Sequence, residues 1–162
     1  MTDYIKAFRD GLQAAEAADL ARSEIDSVFS ELGKQIATAS DGKIAIARRE
    51  CQAPMSQWEF MANPFKPKKT YWAILAWNPT VANSPSKQIA RWSQDAGGYP
   101  CKITCDKWER ICEDREALEN SLAELLRDPT VGEKLHSLTK LPQTQETTAH
   151  EEKPANNPSE ES

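Results

Sequence analysis

The chain has 162 residues, 39% hydrophobic and 28% charged, with a formal net charge of −5. That length and balance suit one globular domain with extra segments, and the acidity excludes a general nucleic-acid coat, which needs a basic face. No apolar run approaches the ~20 residues that cross a bilayer, and MTDYIKAFRD lacks a signal core, so a cytoplasmic protein without membrane contact is expected.

Residues 1–40 read as a long amphipathic helix. Thr2 or Asp3 supplies an N-cap oxygen for the first free amides. Apolar residues follow at Ile5, Phe8, Leu12, Ala15, Ala18, Ala21, Ile25, Val28 and Leu32. Steps of three and four make a helical stripe, but three successive threes between Leu12 and Ala21 form a stammer. The helix ends at Gly33 or continues to Asp41-Gly42. Thirty helical residues span ~45 Å, more than a small sheet needs. Either the helix lies across its own sheet, or Ile5, Phe8, Leu12, Ile25, Val28 and Leu32 form a coiled-coil or partner-binding face.

Residues 41–139 begin with a change of rhythm from helical spacing to twos. KIAIARRE sets Ile44 and Ile46 on one side, and QWEFMA sets Trp58 and Phe60 on one side. TYWAILAWNP is apolar on both faces, the mark of a strand buried on both, and is expected to be the central strand. KQIARWSQ, YPCKITC and KWERICE follow, with DAGG as a turn. Asn63-Pro64 and Asn78-Pro79 are strand terminators, since proline supplies no ladder donor. The sum is an antiparallel sheet of five or six strands that holds all five tryptophans. Asp114 caps a second helix with Leu118, Leu122 and Leu125 on one face. Asp128-Pro129 stops it and starts a third. Residues 140–162 are acidic and nearly devoid of apolar side chains, so a disordered tail is expected. The fold class is α+β: a long N-terminal helix, an antiparallel sheet, two C-terminal helices and the tail.

Residues 97–112, GGYPCKITCDKWERIC, hold three of the four cysteines. A two-residue turn at Asp106-Lys107 sets Cys101 opposite Cys112 and Cys105 opposite Trp108. Zinc needs four tetrahedral ligands, and the spacing is not that of a zinc knuckle. A Cys101–Cys112 redox pair is a second reading. Buried free thiols inside a hairpin, acting as small hydrophobes, are the favoured one.

Residues 41–80 carry three acids and six bases, between acidic outer segments. The basic residues cluster as Arg48-Arg49 and as Lys66, Lys68 and Lys69, beside Phe65, Tyr71 and Trp72. Cations among aromatics suit a single nucleic-acid strand, whereas lysines on a solvated loop also keep a sheet edge from pairing. His136 and His150 are the only histidines, and no nucleotide-binding, zinc-protease or nucleophile motif is present. No enzyme activity, cofactor or metal is therefore expected.

The general shape, a small acidic α+β chain with helices at both ends of a sheet, is similar to bacterial secretion chaperones and to accessory proteins of phages and plasmids. No motif carries that likeness, so it transfers no site. The leading expectation is a non-enzymatic protein that acts by homodimerisation or by binding a protein partner. Single-stranded nucleic-acid binding through the basic loop and the sheet aromatics is the alternative.

Overall fold

A computed structural model describes residues 1–143. The chain forms α1 (Tyr4–Ala39), β1 (Ala45–Gln52), α2 (Gln57–Ala62), β2 (Thr70–Trp77), β3 (Lys87–Asp95), β4 (Gly98–Thr104), β5 (Glu109–Cys112), α3 (Arg115–Arg127) and α4 (Pro129–Thr139). The five strands pair antiparallel in chain order, as a meander. Residues 144–162, and with them most of the expected tail, lie outside the described residues.

Local chemistry sets the element ends. Asp3 accepts from the Lys6 amide and opens α1, which passes Gly33 and stops at Ala39. Asp114 caps α3 through the Ala117 amide. Asp128 ends α3 and caps α4 through the Thr130 amide, with Pro129 in the first turn. Asn78, just past β2, is buried, and its side-chain Nδ2 donates to the Leu138 carbonyl at 2.9 Å and ties β2 to α4.

All the long helices lie on one face of the sheet. Strand alternation points Ile46, Ile74, Ala76, Trp92, Cys101, Ile103 and Cys112 toward them. Ile25, Val28 and Phe29 of α1 join Leu118, Leu122 and Leu125 of α3 and Val131 and Leu138 of α4 in one buried cluster over that face. Burying each such side chain contributes about 1.5–3 kcal/mol. Among the described residues no helix covers the opposite face.

Two sequence expectations need correction. QWEFMA is not a strand but the short helix α2. Ser56 and Glu59 form a reciprocal capping box, the Ser56 hydroxyl accepting from the Glu59 amide and the Glu59 carboxylate from the Ser56 amide, and Asn63-Pro64 ends the helix rather than a strand. Trp58 therefore lies outside the sheet, and Trp108 precedes β5 rather than belonging to it. The strand apolar on both faces, β2, is interior as expected but second in the sheet; β3 is the middle strand.

The α1 stammer has a structural meaning. At about 100° per residue, the nine residues from Leu12 to Ala21 turn the stripe by about half a circle. Ala18, Ile25 and Val28 face the sheet and are buried, while Ile5, Phe8 and Leu12 point to the other side and, like Tyr4, are exposed. Every residue from 1 to 17 is exposed, so the first four turns of α1 project beyond the body.

The crossing point is Gly98, at the start of β4. Its φ is +92°, and a Cβ there would lie 2.7 Å from the Ala21 Cβ. Replacing Gly98 with alanine is expected to destabilise the fold by at least ~2 kcal/mol. Gly11 has open space around it in mid-helix, so Gly11→Ala is expected to stabilise by ~0.5–1 kcal/mol. Urea unfolding of both variants checks the contrast.

Candidate functional site

Antiparallel order places the end of β1, the start of β2, the end of β3 and the start of β4 at one end of the sheet. Three features meet there. The first is the free stretch of α1, which passes the β3–β4 turn: Arg22 donates to the Ala96 carbonyl at 2.8 Å, and Glu24 accepts from the Tyr99 hydroxyl at 3.0 Å. Burial, then the Glu24 carboxylate, pushes the Tyr99 pKa up.

The second feature is the excursion 53–69 between β1 and β2, whose side chains barely touch the body. Trp58 is 78% exposed and Phe65 93%, with Phe60 and Met61 also exposed. Lys66, Lys68 and Lys69 are exposed on the same segment. The Glu59 carboxylate is held below its usual range by the Ser56 amide and hydroxyl, with smaller help from Lys66 and Lys69. This arm carries three cations and one anion.

The third feature is a cleft of about 730 Å³ between α1 and the helix-side face of β1, β2 and β3. Phe29, Trp72, Trp92 and Ile46 form its apolar wall, and Arg22, Asp26, Arg48 and Gln94 its polar groups. Trp72 and Trp92 are directly paired across β2 and β3. The rings of Phe29 and Trp92 meet edge to face at 5.1 Å and 88°, a geometry that suits the ring quadrupoles. Trp72 remains 49% exposed because α1 runs diagonally and leaves that corner uncovered.

Arg48 and Arg49 do not form one basic site, because neighbours on a strand point to opposite faces. Arg48 turns into the cleft. Its guanidinium carbon lies 4.4 Å from the Phe29 ring centroid and 5.2 Å from that of Trp92. It donates to Gln94 Oε1 at 3.1 Å and pairs with the Asp26 carboxylate. Its side chain is only 16% exposed, so it braces α1 against the sheet. Arg49 faces the open side over the Trp77 ring at 4.1 Å, and Arg91 lies over Tyr71 at 4.7 Å. Neither pairs with a carboxylate among the described residues. Lys66, Lys68 and Lys69 sit on the arm, away from Arg48.

The proposed helix face also divides. Ile25 and Val28 are in the chain's own core and Leu32 packs against it, whereas Ile5, Phe8 and Leu12 are exposed. No feature of the sequence marks the cleft: Phe29, Trp72 and Trp92 come from three elements and meet only through strand register and the helix crossing.

Cys101 and Cys112 are directly opposed in β4 and β5, and both are buried free thiols. Cys112 lies 3.4 Å from the Ser121 hydroxyl of α3. Burial, then the neighbouring Cys112 thiol, pushes the Cys101 pKa up to about 12. Among the described residues no group of three or more His, Cys, Asp or Glu is arranged to hold a metal, and no helix is long and apolar enough to cross a membrane. His136 is exposed near the end of α4; His150 lies outside the described residues.

No family model, curated protein or solved structure matches the chain.

Thiolate is the reactive form of cysteine. Native protein at neutral pH is therefore expected to alkylate at the half-buried Cys51 and Cys105 while Cys101 and Cys112 react only after unfolding. Peptide mapping after iodoacetamide treatment reads this out.

Proposed function

We propose that the chain is a non-catalytic association protein, and that it binds protein through the sheet end that carries the two arms. One observation carries this reading. Eight large apolar side chains, Tyr4, Ile5, Phe8 and Leu12 on α1 and Trp58, Phe60, Met61 and Phe65 on the excursion, stand exposed on two segments that leave the same end. Scattered exposed apolar residues are ordinary, but a concentration of this kind marks an interaction surface. Aromatic and methionine side chains are also the types enriched in interface cores. The burial that raises the Cys101 pKa gives that thiol no support as a nucleophile.

The test is a pair of variants, Phe8→Asp with Leu12→Asp on the helix and Trp58→Ser with Phe65→Ser on the excursion. Self-association and the partners co-purified from the native host are compared with those of the native chain. Both variants are expected to lose association and to keep the native melting temperature, since none of these side chains supports the core. Undiminished association in both would refute the reading.

A second reading rests on the open sheet face. The guanidiniums of Arg49 and Arg91, which meet no carboxylate among the described residues, lie on Trp77 and Tyr71, and the arm lysines flank the same strands. Cations beside ring faces are the elements that grip single-stranded nucleic acid. A labelled single-stranded oligonucleotide at low salt is then expected to raise fluorescence anisotropy, and Arg49→Ala with Arg91→Ala to weaken binding roughly tenfold or more. No anisotropy change at low salt rejects it.

A further inference from the structure

The net charge of the chain is unevenly placed. Residues 144–162 hold five acids, Glu146, Glu151, Glu152, Glu160 and Glu161, against one base, Lys153. That is −4 of the chain's −5, which leaves −1 for residues 1–143. The segment has no apolar side chain larger than proline, so it has nothing to fill the aromatic cleft. Its chemistry suits a shallow cationic surface.

The sheet face opposite the helices is such a surface. Strand register places Arg49, Arg91 and Lys102 on it against Glu109. Lys102 lies 3.6 Å from the Glu109 carboxylate, whereas the two arginines meet no carboxylate among the described residues. Arg49, Ala73 and Arg91 form one row across three strands, so the two arginine backbones stand on the order of 10 Å apart. Each guanidinium lies on a ring, Trp77 or Tyr71. Ring contact uses the flat face and leaves in-plane N–H donors for a carboxylate, which accepts two side by side.

The point of departure favours the same face. The Leu138 carbonyl, one residue before the end of α4, accepts from the Asn78 side chain, next to Trp77. The chain therefore leaves the body near the strand end that carries the Trp77–Arg49 contact. The arm lysines precede β2 and lie at its other end. The nineteen residues of 144–162 reach roughly 60 Å when extended, and the eight residues of β2 span only about 26 Å. A ligand on the same chain acts at an effective concentration on the order of millimolar, so pairs that are individually weak in water suffice to hold it.

From this we infer that the open sheet face is the binding site of the chain's own acidic segment 144–162, whose glutamates seat on Arg49 and Arg91. The carboxylates there take the place of the phosphates that the second reading above assigns to the same guanidiniums. The inference rests on that reading for its competitor: a nucleic-acid strand gains the face by displacing the segment.

The full-length chain is compared at low salt with a variant carrying Glu146→Gln, Glu151→Gln, Glu152→Gln, Glu160→Gln and Glu161→Gln, which keeps the segment's length and removes its acids. Phenylglyoxal modification with peptide mapping reads the arginines. Arg49 and Arg91 should react several-fold more slowly in the native chain than in the variant, while the exposed Arg9 reacts alike in both. The difference should persist on dilution, because the contact lies within one chain, and vanish at high salt. By fluorescence anisotropy the variant should bind a labelled single-stranded oligonucleotide roughly tenfold or more tighter than the native chain. Equal reactivity of Arg49 and Arg91 in the two chains overturns the inference, and so does protection that fades on dilution. Equal reactivity with equal oligonucleotide binding leaves the nucleic-acid reading standing and removes only the segment. Protection in the native chain with no oligonucleotide bound by either chain does the reverse.

Discussion

The contact between Gly98 and Ala21 sets the shape of the molecule. There the helix meets the turn end of the sheet so closely that a single methyl group has no room. The position of α1 on its long axis is thereby fixed. Residues after Ala21 lie over strands and enter the core; residues before Ala18 have no sheet beneath them. The sequence agrees with this division at the level of single steps, since the stripe swings to the other side of the helix at the same place. A helix meant only to cover its sheet would keep one face throughout.

The second brace is Arg48, and it explains why a charge sits under a helix. Its guanidinium lies against the Phe29 and Trp92 rings while its donors reach Asp26 and Gln94. A buried cation is costly unless paired and hydrogen-bonded, and here it is both. Ring contact adds about 0.5–2 kcal/mol. Arg48 thereby holds α1 at an angle that leaves Trp72 uncovered. The brace and the cleft are one construction, seen from the core and from solvent.

Much of the architecture was legible because it rests on short-range rules. Asp3, Asp114 and Asp128-Pro129 mark helix ends by capping chemistry, and the Asp106-Lys107 turn fixes Cys101 opposite Cys112, as observed. The excursion misleads because alternation of Trp58 and Phe60 imitates a strand when neither side faces a core; the Ser56–Glu59 capping box is the better signal. Adjacent Arg48 and Arg49 look like one basic site in a sequence and are two in a sheet. The cleft was not legible at all. It depends on the pairing of Trp72 with Trp92 and on the diagonal path of α1, both properties of distant residues.

The account stands or falls on α1 being one helix with two kinds of surroundings. Hydrogen–deuterium exchange in dilute solution reads this amide by amide. Slow exchange from Ile25 to Ala39 with fast exchange from Ile5 to Ala17 is the pattern a free outer stretch gives, and protection spreading outward as concentration rises is what self-association adds. Uniformly slow exchange from Ile5 onward in the most dilute sample would mean that the outer turns rest on their own chain, and there would be no free arm.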